Sequence, residues 1–176
     1  MQKVTWLVTL VLFLGVTAMA QDTPKAEVYG GYSHLVADFS NTTFNLNGGE
    51  FGLTENVNSW FGGMVDIGAQ FGTRNGFNVN SEQYLYGPVF SYRKLSSFTP
   101  SAHILLGAIR GSQGFAGISQ SDTKFAAAFG GALQFKLTDM VSIRAIQADY
   151  LMSRFLSTHQ NNIRLSAGIV LTFGKK

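Results

Sequence analysis

The sequence predicts an all-β fold, an eight-stranded antiparallel up-and-down transmembrane β-barrel, and three observations carry that prediction. Residues 1–20 read as an export leader. After them come eight segments of about 10 residues in which apolar side chains alternate with polar or small ones, the pattern of a sheet with lipid on one face. The composition agrees: 13% charged residues, against about 25% in ordinary soluble domains, with 20 Gly and 15 Phe in 176 residues.

In the leader, Lys3 precedes an apolar stretch from Val4 to Val16, and Ala18-Met19-Ala20 supplies a small-residue cleavage site before Gln21. The stretch is well short of the roughly 20 residues a spanning helix needs. Residues 1–20 are therefore expected to be a cleaved signal peptide, and residues 21–176 a single barrel domain. The chain has no Cys, which removes the thiol of a lipoprotein anchor, a disulfide framework and a thiolate metal site. Without Lys3 the charge balance is 12 basic to 10 acidic residues, too even to suggest a nucleic-acid partner.

No later run approaches 18 apolar residues, and mean hydropathy is +0.12, so a helical bundle is excluded. In lipid every backbone N–H and C=O needs an internal partner, which leaves a closed sheet. The last strand shows the pattern best. Ile163, Leu165, Ala167, Ile169, Leu171 and Phe173 share one face, and Arg164, Ser166, Gly168, Val170 and Thr172 the other. From Phe125 to Leu137 the odd positions are expected outside and Ala126, Ala128, Gly130, Ala132, Gln134 and Lys136 inside. From Phe61 to Phe71, Gly62, Met64, Asp66, Gly68 and Gln70 are expected inside.

Five noisier segments complete the eight: Glu27 to Val36, Asn47 to Glu55, Ser81 to Arg93, Ser101 to Gly111 and Val141 to Arg154. Tyr84, Tyr86, Phe90 and Tyr92 share a face of the fourth. Pro88 within it cannot donate to a ladder, so a bulge or a lost bond is expected there. In the seventh, Gln147 and Asp149 are expected inside, and Arg144 outside, snorkelling at the membrane interface. Connections expected to be short are Asn56 to Ser59, Lys94 to Pro100 and Leu137 to Met140. Those expected to be long are Ala37 to Leu46, Gly72 to Asn80, Ser112 to Thr123 and Phe155 to Gln160. Since barrels of this kind have short periplasmic turns and longer external loops, the alternation places both chain ends in the periplasm.

Eight strands enclose a lumen that side chains fill. The inward register gathers Glu50, Asp66, Gln70, His103, Gln134, Lys136, Gln147, Asp149 and Arg164 as an expected lumen network. Its charges should pair, because a buried charge without a partner costs several kcal/mol. Ser166, Gly168, Leu171 and Phe173 follow a polar-x-Gly-x-x-apolar-x-aromatic spacing. That spacing resembles the terminal-strand signal read by the barrel assembly machinery, which would add the strand edge to edge. Gly174-Lys175-Lys176 follow the aromatic, a departure from chains that end on it.

The region from Lys25 to Phe173 resembles the OmpA-type and OmpX-type outer membrane protein β-barrel domain family. The resemblance rests on Ala26-Glu27-Val28-Tyr29-Gly30-Gly31-Tyr32-Ser33, Asn56-Val57-Asn58-Ser59-Trp60-Phe61-Gly62, Tyr86-Gly87-Pro88 and Gln147-Ala148-Asp149-Tyr150. It implies an integral protein of the Gram-negative outer membrane, monomeric and surrounded by lipid, with a structural or surface-interaction role. The peptidoglycan-binding domain that OmpA-like proteins append is not expected. A narrow porin-like pore, or an adhesin binding an unknown ligand through external loops, is the alternative. A lipid A-modifying enzyme would need an activated hydroxyl beside an oriented base. His34, His103 and His159 do not stand in a His-x-Ser arrangement, so no catalytic, cofactor or metal site is expected. A soluble lipocalin-type barrel would require the register turned inside out, with Asp66 and Lys136 exchanged for Phe61, Phe71, Phe129 and Phe135.

Overall fold

The computed structural model describes residues 23–39, 42–74, 77–95, 97–115, 118–155 and 158–175; residues 1–20, with Ala18 and Ala20 at the expected cleavage site, lie outside them. It is the expected barrel. Eight strands, β1 (Pro24–Phe39), β2 (Thr42–Asn56), β3 (Phe61–Arg74), β4 (Phe77–Ser91), β5 (Phe98–Phe115), β6 (Ile118–Lys136), β7 (Val141–Phe155) and β8 (Thr158–Lys175), pair each with the next. β8 returns antiparallel to β1 and closes the sheet, from Pro24 opposite Lys175 to Val36 opposite Ile163. Among the described residues there is no helix. The even strand number puts β1's start and β8's end at one mouth, here called the near mouth.

The strands are longer than the sequence pattern indicates. They run from 14 residues in β3 to 19 in β6, where about 9–11 tilted residues span a membrane. The excess lies at the far mouth. The segments expected as long loops are largely ladder: Ala37 pairs with Phe44 and Asp38 with Thr43, Gly72 with Val79, Ser112 with Ser121, and Phe155 with Thr158. His159, expected in the last loop, is in β8 opposite Arg154. At the near mouth the connections are 57–60, 92–97 and 137–140, longer than the breaks between strands at the far mouth. The loop-length criterion for orientation therefore fails.

The near-mouth turns are built locally. Asn58 Oδ1 accepts from the Trp60 and Phe61 amides at 3.0 and 2.8 Å, and Thr138 Oγ1 accepts from the Val141 amide at 3.0 Å. These side chains satisfy turn donors that the sheet leaves unpaired. Beside Pro88 the β4–β5 ladder passes from Tyr86 opposite Leu106 to Val89 opposite His103 without changing register. A lost bond, and no bulge, is the consequence of that proline.

A bulge does occur in β7. Leu133 pairs with Ile146 but Gln134 with Arg144, and across the strand Arg144 meets Gly168 while Gln147 meets Ser166. Ala145 and Ile146 thus both face outward, opposite Ala167. The inserted residue reverses the parity of everything before it. Arg144, expected outside at the membrane interface, consequently points into the lumen and is buried.

Candidate functional site: a lumen closed in layers

The lumen is occupied by three layers of side chains. The middle layer centres on Arg164 of β8, which is wholly buried. Its Nη1 donates to Asp66 Oδ1 of β3 at 2.7 Å. Its Nη2 and Nε donate to Asp149 Oδ2 of β7 at 2.6 and 2.9 Å, and Nε lies 3.5 Å from Glu50 Oε2 of β2. Gln147 Nε2 bridges Glu50 Oε1 at 2.7 Å and Asp149 Oδ2 at 3.0 Å. Arg144 Nη1 donates to Gln147 Oε1 at 2.6 Å, and its guanidinium lies 4.2 Å from the centre of the Tyr29 ring, a cation–π contact in a water-poor space. His103 Nε2 stands 2.7 Å from Asp149 Oδ1.

Two guanidiniums therefore face three carboxylates, with the His103 imidazole against one of them. The planar fork of Arg164 serves all three acids at once, a geometry an ammonium could not match. Small residues make room for it. A Cβ at Gly130 would collide with Asp149 Oδ1 and lie 2.8 Å from His103 Nε2; one at Gly68 would meet Gln83 Oε1 and lie 3.1 Å from Arg164 Nη1. Gln70, at the edge of this layer, donates to Ser33 Oγ at 3.0 Å.

Below it, toward the near mouth, a second polar set surrounds Glu27. Arg93 Nη2 donates to Glu27 Oε2 at 2.6 Å and to Asn56 Oδ1 at 3.1 Å, and Gln134 Nε2 donates to Glu27 Oε1 at 3.1 Å. Gln134 thus belongs to this set and not to the central one. Lys136 sits farther out still, exposed on the rim, its Nζ 2.7 Å from Asp139 Oδ1. It lies beyond the buried charges because β6 ends at that residue. The Asp139 carboxyl is held below its ordinary value of 3.8 by the hydrogen bond and the charge of Lys136, helped by Lys175.

A vestibule of about 510 Å³ opens here, lined among others by Glu27, Arg93, Lys136, Asp139 and Lys175. Between it and the central cluster lies a gap of only about 10 Å³, bordered by Met64, Val89, His103 and Arg144, room for about one water. Beyond the cluster, toward the far mouth, the filling is mainly apolar: Leu35, Ala37, Leu46, Val79, Leu105, Ile109, Ala126, Ala128 and Leu151 are buried together, with Phe44 packed against them. The polar Ser81, Gln83, Ser153 and Asn162 are buried at the same end, hydrogen-bonded in pairs.

Of the nine residues expected in the lumen network, Glu50, Asp66, His103, Gln147, Asp149 and Arg164 converge, Gln70 lies beside them, and Gln134 and Lys136 do not join. Arg144, Tyr29, Glu27, Arg93 and Asn56 were missed. Parity alone would have found Tyr29 and Glu27, two and four residues before inward Gly31. The bulge hid Arg144. His34 faces outward, its Nδ1 2.8 Å from Asn47 Oδ1.

In the expected assembly signal, Ser166 and Gly168 face the lumen side, while Leu171 and Phe173 are exposed on the outer wall. Gly168 has a packing reason of its own. It lies opposite Gly31 across the β1–β8 seam, and a Cβ there would collide with the Gly30 carbonyl and the Gly31 Cα.

The model of the outer membrane protein beta-barrel domain matches residues 6–170. Among solved structures, Neisserial surface protein A is 16% identical over 85% of this chain and 97% of its own, with a TM-score of 0.68. Ail, the attachment invasion locus protein of Yersinia pestis, is 19% identical over 84% and 99%, with a TM-score of 0.60. The N-terminal β-barrel domain of Pseudomonas aeruginosa OprF is 12% identical over 87% and 100%, with a TM-score of 0.55. At these identities the likeness is one of fold. No curated protein matches the sequence significantly. The family match over nearly the whole chain and the closed eight-strand barrel agree, and the chain belongs to the outer membrane protein beta-barrel domain family, integral to the outer membrane.

Proposed function

We propose that this is a non-conducting, non-enzymatic barrel, a monomer surrounded by outer-membrane lipid, whose role is structural or surface-interacting. The carrying observation is the layered lumen, in which buried charges are paired with one another in the middle and mainly apolar side chains fill the far half. An ion crossing it would have to break the Arg164 pairs and then enter a mainly apolar layer, each step costing several kcal/mol. The single imidazole of the cluster spends its Nε2 on Asp149, inside a closed wall and away from lipid substrates. Planar-bilayer recording tests this: the purified protein should give no sustained openings, and large regular conductance steps would sink the reading.

The orientation in this proposal has the far mouth outward and both chain ends in the periplasm, with residues 1–20 removed after Ala20 and Phe173 presented to the assembly machinery. It rests on the outer wall, which is polar at the far end (Asn45, Asn47, Thr73, Asn78, Gln120 and Asn161 are exposed) and at the near-mouth turns exposes Val57, Trp60, Leu95, Leu137 and Met140 among charged and polar residues. A polar, ligand-accessible end belongs at the cell surface. Because the chain has no Cys, single thiols report on this cleanly. Asn45→Cys should react with an impermeant maleimide on intact cells and Thr138→Cys only after permeabilisation; the opposite pattern would reverse the orientation.

A further inference from the structure

Outside the lumen, the wall carries a groove at the near mouth. It measures about 370 Å³ and is lined by Trp60, Phe90, Ser91, Tyr92, Pro100, Ser101 and Ala102. Trp60 is 55% exposed and stacks on Phe90 with ring centroids 6.1 Å apart and planes 17° from parallel; Phe61 tilts against both. The opposite bank is low, because Pro100 and Ala102 are small. The near-mouth turns expose apolar residues as well, Val57, Leu95, Leu137 and Met140, beside the polar Lys94, Thr138 and Asp139, a mixture that suits the boundary of a bilayer.

The charges at this level are mainly positive. Lys25, Lys94, Lys136 and Lys175 are exposed around the near mouth, against the exposed acids Glu55 and Asp139, the latter already paired with Lys136. Lys94 follows Tyr92 by two residues and is the exposed charge next in sequence to the groove, whose own lining is uncharged. Its neighbour Arg93 turns the other way, into the lumen on Glu27.

We infer that this groove is a lipid site: it takes the glycerol and upper acyl region of an anionic phospholipid, with the aromatic bank formed by Trp60, Phe90 and Tyr92 and the phosphate met by Lys94. The occupant is anionic because the rim's net charge is positive and the apolar lining cannot tell one acyl chain from another. A cation near a headgroup surface contributes about 1 kcal/mol toward anionic lipid, which corresponds to about a fivefold preference. The inference rests on the membrane placement of the near mouth.

Trp60 sits in the site and reports on it directly. The sequence has two Trp, Trp6 and Trp60, and the removal of residues 1–20 takes Trp6 with it, so in the chain from Gln21 onward Trp60 is the reporter. That chain is refolded into vesicles of phosphatidylcholine and phosphatidylglycerol at fixed proportions, with the bromines placed on the acyl chains of one lipid or the other at equal mole fraction. The expected result is that brominated phosphatidylglycerol quenches Trp60 well beyond its share, that Lys94→Gln brings the two quenchers level, and that high salt weakens the difference. A variant that still migrates faster unboiled than boiled on a gel has folded, which separates site loss from misfolding. Equal quenching by the two lipids in the unaltered site overturns the anionic preference. No quenching by either overturns the membrane placement together with it.

Discussion

The two halves of this barrel obey opposite solvent rules, although the same eight strands run through both. In the near half β2 points Glu50 inward and Phe51 and Leu53 outward; a few residues earlier it points Leu46 inward and Asn45 and Asn47 outward. β4 makes the same change, from buried Val79 between Asn78 and Asn80 to buried Gln83 beside exposed Tyr84. The near half is a membrane protein, with lipid replacing water outside and ion pairs filling the inside. The far half is packed like a water-soluble barrel. Strand length explains why both are present: a wall of 14 to 19 residues outruns the bilayer, and the excess meets water on its outer face.

The comparison is broken most severely at Arg164. Arg164→Met would leave Glu50, Asp66 and Asp149 packed together with their principal counter-charge gone, at a cost of about 3–5 kcal/mol. Most of the protein should then fail to give the heat-modifiable folded band. Recovery of that band on adding Asp66→Asn and Glu50→Gln would show that uncompensated charge, and not lost volume, is responsible. An undisturbed urea midpoint in the single variant would mean that the cluster is not dry.

In the far half the equivalent blow is a cavity. Leu46→Ala removes a fully buried side chain, and about 2–5 kcal/mol is expected. Phe51→Ala, five residues along on the outer wall, should cost less, since lipid tails refill the space that the ring leaves. Equal losses at the two positions in urea titrations would erase the distinction between the halves.

A charge placed on the outer wall sharpens the boundary between them. Ile67 lies between Phe61 and Phe71 on the apolar face of β3, so Ile67→Arg should cost about 2–4 kcal/mol in a bilayer. Asn45→Arg, already in water, should stay within about 0.5 kcal/mol. Moving the same Arg along the outer positions of one strand and reading folding stability in vesicles would locate the membrane edge.

This reversal also explains what the sequence could tell. Strands β3, β6 and β8 were legible because their near-half pattern of apolar outside and small or polar inside is the one a membrane barrel imposes. The segments from Ala37 to Leu46 and from Gly72 to Asn80 read as loops because their polarity inverts, and an inverted strand looks like interrupted alternation. The central acids, Gln147, His103 and Arg164 were legible from parity, whereas Arg144 was not, since a single inserted residue in β7 changes parity without any mark in composition. Lys136 had the correct parity but the wrong depth. Alternation reports which side a residue faces and says nothing about how far from the mouth it stands.

Depth is also what makes the smallest expected effect informative. Asp139 is fully exposed, so its pairing with Lys136 is screened by water and salt. Its carboxyl titrates lower in the folded state than the ordinary 3.8. A depressed folded value means stabilisation that is complete above the unfolded value and is lost as pH falls through the folded one. Asp139→Asn should therefore lower the urea midpoint slightly at neutral pH and low salt, with the two curves merging below pH 3.8 and also in high salt. A difference that widens in acid would have the wrong sign for a depressed carboxyl. A large, salt-independent loss at neutral pH would place the Lys136–Asp139 pair in a drier setting than the rim, and the vestibule would then join the buried half of the lumen.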